Sequence, residues 1–394
     1  MSGSASVAKT INPGAWLGLL GGGQLGRMFT MAAQSMGYKV MVLDPGADSP
    51  AGVVADRQLR AEYTDTAALA EMASHCAAAT TEFENVPAET LQRLSEGCVV
   101  SPAAESVAIA QDRIREKLFL SESGFGVAPF AVIRTEADLS AAQIDGLLPG
   151  VLKVSRFGYD GKGQVRVASR SELGPAFRSL QSEPCVLEKF LALEKEVSVV
   201  VCRGFDGDVA TFPVSENSHA DGILDVSIVP ARTTVEVSSE ARDRAIELAR
   251  KLDYRGVLCV EYFVLEDGRL LVNEIAPRPH NSGHYTIDAC VSSQFEQQVR
   301  VMCSLPLGDT SLLCPAVMLN LLGDLWSEGT PAWESVLRHK TAKLHLYGKS
   351  TPRSGRKMGH VTVLSQQAEQ ALATALEIKS MLDTTRSESR LQAV

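Results

Sequence analysis

Residues 257–284, VLCVEYFVLEDGRLLVNEIAPRPHNSGH, constrain this chain more than any other stretch. Two β-rich runs, 259–264 and 270–275, flank Glu266, Asp267, Gly268 and Arg269, and Asp-Gly between such runs is a strong hairpin signal. A two-residue loop at Asp267 and Gly268 sets Glu266 against Arg269, and counting back along both strands sets Glu261 opposite Glu274. Like charges facing each other destabilise a ladder, so this register asks for a cation between two carboxylates. Magnesium suits, because it takes carboxylate oxygens and keeps waters and substrate phosphates as its other ligands. A merely solvated face would not account for the apolar neighbours, nor for the cluster Arg278, His280, Asn281 and His284 that follows.

A chain of 394 residues is too long for one ordinary core and implies two or three domains. Its 45% hydrophobic and 22% charged residues are those of a globular protein, and no apolar run is long enough for a transmembrane helix. The first dozen residues lack an apolar signal core and read as a disordered tail, so the expected location is the cytoplasm. Eight cysteines are scattered with no CxxC pair, the pattern of buried reduced thiols. A net charge of −9 argues against a general nucleic-acid binder, so any basic cluster needs a local explanation.

Near the start, an apolar run at 16–20 leads into Gly21, Gly23 and Gly26, which satisfy GxGxxG, and a second strand ends at Asp44. This predicts a parallel α/β beginning in which amides at a helix N-terminus could receive an anion. Read alone it would also fit an NAD-dependent dehydrogenase, but that leaves the facing carboxylates and a second glycine loop unexplained. Strand ends place Glu82 and Glu84 at the same rim. A charged helix is expected over 108–123, then a linker over 125–132.

The second glycine loop, Gly158 to Gln164, lies between strands 151–154 and 165–167, which makes a hairpin flap rather than a strand-to-helix phosphate loop. Such a flap bearing Lys162 can close over phosphates, with Lys153 as a second cation. Strands at 185–191 and 196–201 carry Glu188 and Glu196, suited to a purine edge and ribose hydroxyls. Residues 345–360, HLYGKSTPRSGRKMGH, crowd Lys349, Arg353, Arg356 and Lys357 into one loop, a credible phosphate seat on an acidic protein. A helix at 366–381 and a frayed tail from 383 close the chain.

Five stretches then carry a resemblance: GGGQLGRM at 21–28, QDRIREK at 111–117, GYDGKGQ at 158–164, NEIAPRPHNSGH at 273–284 and GRKMGH at 355–360. With them the chain resembles the ATP-grasp superfamily and, within it, the N5-carboxyaminoimidazole ribonucleotide synthetases. The resemblance implies an α/β ATP-grasp fold: a tail over 1–13, a Rossmann-like domain over 14–108, a lid over 109–202 and a C-terminal ATP-binding domain over 203–394. It implies ATP-dependent addition of bicarbonate to the amine of 5-aminoimidazole ribonucleotide, by a cytoplasmic homodimer that uses magnesium and engages neither nucleic acid nor membrane.

Carried onto this sequence, the ATP contacts would be Arg113, Lys153, Gly158, Tyr159, Asp160, Gly161, Lys162, Gly163, Gln164, Glu188, Lys189, Phe190, Leu191, Glu196, His219, Asn273 and Glu274. Glu261 and Glu274 would hold magnesium. The ribonucleotide would meet Gly23, Gln24, Leu25, Glu82, Arg278, His280, Asn281 and Ser282, with its phosphate on Lys349, Arg356 and Lys357. Lys153, Tyr159, Asp160 and Arg278 would be the catalytic set. Ser354 stands where the family loop usually has proline, which loosens the expected loop geometry and leaves Arg353 without a firm role. A formate-dependent ribonucleotide transformylase of the same fold, or a non-catalytic nucleotide binder, would share the flap but not NEIAPRPHNSGH together with GRKMGH.

Overall fold

The computed structural model describes residues 9–158 and 161–392, so Tyr159, Asp160 and the first eight residues of the expected tail lie outside the described residues. Among the described residues the strands form three sheets. In the first, Arg57–Leu59, Lys39–Leu43, Trp16–Leu20, Ala78–Thr81 and Val99–Val100 lie side by side in that order, all parallel. Parallel strands covered on both faces need apolar residues at nearly every position. Accordingly Leu17 and Leu19 pack on Phe29 and Ala33, while Leu20, Met41 and Leu43 pack on Leu69 and Met72.

The second sheet is small and antiparallel: Phe130–Ile133, Cys185–Lys189, Gly150–Val154, Gln164–Val167. The third is large and antiparallel, running Leu270–Ala276, Gly256–Leu265, Leu193–Arg203, Ser215–Ala220, Ile223–Val229, Ala316–Leu322, Lys357–Leu364, Ala342–Leu346, with Val209–Thr211 beside Leu193–Arg203. Helix Val235–Lys251 buries Val237, Ala241, Ala245, Leu248 and Ala249, one stripe at helical spacing, on Val197, Val199, Leu258 and Val260. Helix Ala368–Gln392 covers another part of this sheet through Ala371, Ala375 and Ile378.

Helix Gln294–Met302 joins the first sheet to the third: Phe295, Val299 and Met302 enter the core around Leu17 and Phe29. Its buried Gln298 donates to Thr80 at 3.0 Å and to the Ser101 carbonyl at 3.1 Å, and accepts from the Val257 amide at 2.8 Å. One side chain thus satisfies polar groups of both sheets where water cannot reach.

Several expectations change here. Residues 108–123 are two helices, Ala104–Ala110 and Arg113–Glu122. Asp112 caps the second by accepting from the Ile114 and Arg115 amides at 3.0 and 3.2 Å, which ends the first. The expected linker contains the strand Phe130–Ile133, and Val127 bridges Val272. The small sheet ends at Lys189, and the next strand, Leu193–Arg203, pairs into the large one. Within the expected tail, Ile11 is docked: its amide donates to the Cys303 carbonyl at 2.9 Å, and Tyr38 donates to its carbonyl at 2.8 Å. The last helix runs on to Gln392, beyond 381. No helix among the described residues is long and apolar enough to cross a membrane.

Candidate active site

Glu261 and Glu274 do face each other across Gly256–Leu265 and Leu270–Ala276. The loop joining them has three residues, Glu266, Asp267 and Gly268, rather than two. The Leu265 amide donates to the Arg269 carbonyl at 3.0 Å and the Gly268 amide to the Leu265 carbonyl at 2.8 Å. Gly268 sits at φ +80°, the left-handed position that such a loop requires. A three-residue loop alone would set Glu261 against Asn273. The register shifts between Tyr262↔Val272 and Glu261↔Glu274, so a bulge at Asn273 restores the carboxylate pair.

Helix Arg113–Glu122 grips this bulge with three side chains at i, i+3 and i+4, one face of a helix. Arg113 lies 3.2 Å from Glu274 Oε2, Glu116 accepts from the Ile275 amide at 2.6 Å, and Lys117 donates to the Asn273 carbonyl at 2.8 Å. Lys117 Nζ is also 3.3 Å from one oxygen of Glu188, whose other oxygen takes Lys153 at 2.8 Å. Burial raises the Glu116 carboxyl to about 7, with Arg113 opposing. Burial would likewise raise Glu188, but Lys117, Lys153 and Arg113 outweigh it and hold that carboxyl at about 2.

After Leu270–Ala276 the chain turns beneath the same opening. Arg278 pairs with Glu84 at 2.5 Å, and its charge lowers the Glu84 carboxyl against the effect of burial. His280 Nε2 lies 3.0 Å from Glu261. Burial would lower the imidazole, yet Cys259 and the Glu261 carboxylate push it up to about 10. Ser282 is fully buried behind His280 and bonds its Nδ1 at 2.8 Å. On the neighbouring strands His219 lies 3.2 Å from Glu196, which raises the imidazole against burial.

Apart from Lys117 and Ser282, which are fully buried, these groups line one cleft of about 950 Å³ between the small and large sheets. Every described residue expected at ATP lines it, from Arg113 and Lys153 through the flap and residues 188–191 to Glu196, His219, Asn273 and Glu274; so do Glu261, Arg278, His280, Asn281, Lys357, Gln24 and Leu25. The flap crosses to the turn between Ser215–Ala220 and Ile223–Val229, where a Cβ on Gly161 would sit 3.1 Å from the Asp221 carbonyl. Several buried polar atoms of the lining have no protein partner: Arg113 Nη1, Asn273 Oδ1 and both amide atoms of Asn281. Such atoms are costly unless a ligand satisfies them.

Gly23, Glu82, Ser282, Lys349 and Arg356 stand outside the lining. The helix N-terminus after GxGxxG does hold an anion, but it is the chain's own: Glu82 accepts from the Gly23 amide and, at 2.7 Å, from Gly26, while Asp44 takes the Gly22 amide at 2.8 Å. Two of the three acids expected at strand ends, Asp44 and Glu82, thus bind amides of the glycine loop. In the basic loop Lys349 reaches Gln24 of the N-terminal helix and the Lys357 carbonyl, and Arg356 donates to the Thr351 carbonyl at 2.6 Å. The Gly355 amide is held by Asp324 at 2.8 Å, an anchor beside Ser354. Glu116, Lys117 and Asp221 were absent from the expected site. For the first two the spacing within QDRIREK was the available signal.

Residues 15–111 match the ribonucleotide synthetase preATP-grasp domain, 118–295 the ATP-grasp domain and 316–374 the phosphoribosylaminoimidazole carboxylase C-terminal domain. The chain is 49% identical to an N5-carboxyaminoimidazole ribonucleotide synthase of Brucella melitensis, over 90% of this chain and 97% of the relative. It is 45% identical to that of Bacillus subtilis, over 92% and 94%. The crystal structure of an ADP complex of N5-carboxyaminoimidazole ribonucleotide synthetase superposes with a TM-score of 0.90 at 42% identity, covering 96% of this chain and 99% of that one. The Aspergillus clavatus synthase in complex with ADP and 5-aminoimidazole ribonucleotide superposes at 0.86 with 30% identity, covering 94% and 99%. At these identities, over nine-tenths or more of both chains, the chain belongs to the N5-carboxyaminoimidazole ribonucleotide synthase family of ATP-grasp ligases.

Proposed function

We infer that this chain joins bicarbonate to the exocyclic amine of 5-aminoimidazole ribonucleotide in purine biosynthesis, converting ATP to ADP and phosphate. The observation that carries its mechanism is the register of Glu261 with Glu274 in a cleft that also holds Arg278, His280 and the glycine flap. Two facing carboxylates fit a hard cation that prefers oxygen donors, so Glu261 and Glu274 would hold magnesium. When bound, the ion neutralises charge on the transferring phosphoryl group.

The chain's own residues do the positioning that phosphoryl transfer needs. Lys153 and Lys162 hold the nucleotide phosphates, and Glu188 to Leu191 with Glu196 receive base and ribose. Bicarbonate lies against Arg278 and Asn281, whose unpartnered amide supplies a donor and an acceptor. A bicarbonate oxygen attacks the γ-phosphorus, ADP leaves, and the amine then takes the carboxyl carbon as phosphate departs and the amine loses a proton. The flap excludes water from the labile acyl phosphate. Lys349, Arg356 and Lys357 hold the ribose phosphate beside Gln24 and Leu25. The same reading places the protein in the cytoplasm as a homodimer.

Phosphate release from ATP, with magnesium and bicarbonate, should rise strongly on adding 5-aminoimidazole ribonucleotide. No stimulation, or turnover of glycinamide ribonucleotide with formate instead, would overturn this reading.

A further inference from the structure

Lys117 is fully buried, at 0% exposure, and the reaction as described does not use it. Exchanging a buried ion pair for apolar groups is often neutral or stabilising, so stability alone gives no reason for a lysine here. Its contacts give one. Leu270–Ala276 is the edge strand of the large sheet, and an edge presents unpaired amides and carbonyls. Around the bulge three such groups have partners from other parts of the chain: the Val272 amide donates to the Gly126 carbonyl at 2.8 Å, the Asn273 carbonyl takes Lys117, and the Ile275 amide takes Glu116. Without the bulge Glu261 would face Asn273, and the carboxylate pair would be lost.

We propose that Lys117, assisted by Glu116, is a positioning residue for the magnesium-dependent step. It pins the Asn273 carbonyl so that Glu274 stays opposite Glu261, and through Glu188 it ties Lys153 of the small sheet to the same point. The inference rests on reading Glu261 and Glu274 as the magnesium pair. Residues that orient a metal ligand behave in a characteristic way: losing one weakens metal affinity about 10–100-fold.

The test is a free-magnesium titration on Lys117→Met, read both as the magnesium-dependent rise in melting temperature with ADP bound and as ATP cleavage at saturating ATP, bicarbonate and ribonucleotide. Half-saturation should move to about tenfold higher magnesium or more, with a smaller fall in kcat at saturating metal. A general loss of packing would lower kcat and the melting temperature without moving that midpoint. Should Lys117→Met fail to melt cooperatively, Glu116→Leu removes the other grip and should move the midpoint the same way. A wild-type midpoint in whichever variant folds overturns the proposal. Glu274→Gln, run alongside, separates the two readings. Normal magnesium dependence there overturns the metal assignment itself, whereas a damaged Glu274→Gln beside a normal Lys117→Met overturns only the positioning role.

Discussion

Replacing Glu188 by glutamine removes one charge from the buried cluster while keeping its shape. Glu188 is 3% exposed, between Lys117 at 3.3 Å and Lys153 at 2.8 Å. Burial pushes its carboxyl up, but the two lysines and Arg113 prevail and bring it from the ordinary 4.5 to about 2. At about 1.36 kcal/mol per pH unit, that displacement contributes roughly 3 kcal/mol to the folded state. A second route agrees: leaving a buried cation without its partner costs about 3–5 kcal/mol. Because the folded carboxyl is the more acidic, its contribution is complete above about pH 4.5 and drains away as pH falls towards about 2. Urea unfolding of wild type and Glu188→Gln, followed by circular dichroism, should differ by roughly 3 kcal/mol at neutral pH and hold that gap down to about pH 5. Below that the gap should narrow. A difference under about 1 kcal/mol at neutral pH, or one that stays constant into the acid range, would refute the account of this cluster.

Glu274→Gln should cut magnesium-dependent ATP cleavage by about 10²–10³-fold. Its melting temperature should barely change, because the side chain is 39% exposed at the cleft; retained cleavage would refute the metal role. Arg356→Ala should raise KM for the ribonucleotide about tenfold, the loss of one charge-assisted hydrogen bond, with kcat unchanged; an unchanged KM would remove the basic loop from the phosphate site. Gly163 lies at φ +72°, and a Cβ there would come 2.6 Å from Val154 Cγ2. Gly163→Ala should therefore distort the flap at a cost of about 1–3 kcal/mol and raise KM for ATP; a normal KM would show that the flap accommodates a side chain.

The parallel sheet is legible because strands covered on both faces print as unbroken apolar runs such as VMVL at 40–43. The break within 108–123 has one local signal, the N-cap Asp112, and long-range contacts complete it. Asp112 receives the Ser155 hydroxyl at 2.5 Å, and Gln111 donates to the Glu84 carbonyl at 2.5 Å, so one helix stops and the next begins where other segments arrive. The same holds for Glu82. Local pattern marks a helix N-terminus ready for an anion, and only the fold shows that a carboxylate of the adjacent strand end fills it.

The facing carboxylates are the instructive case, because counting reaches the right pair by a route the structure does not take. The count assumes a two-residue loop and an unbroken ladder; the protein has a three-residue loop and a bulge, and the two departures cancel. Hairpin chemistry speaks for the loop, since Gly268 tolerates the left-handed turn. Nothing local speaks for the bulge. Its partners, Glu116 and Lys117, lie on a helix more than a hundred residues earlier in the chain, where three charges on one face would ordinarily mark a solvated surface. Here that face is buried against the edge strand. The residues proposed to carry chemistry are thus the ones a sequence displays, in glycine loops and charged clusters. Those that aim them are written as ordinary helix, and become visible only once the second partner is in place.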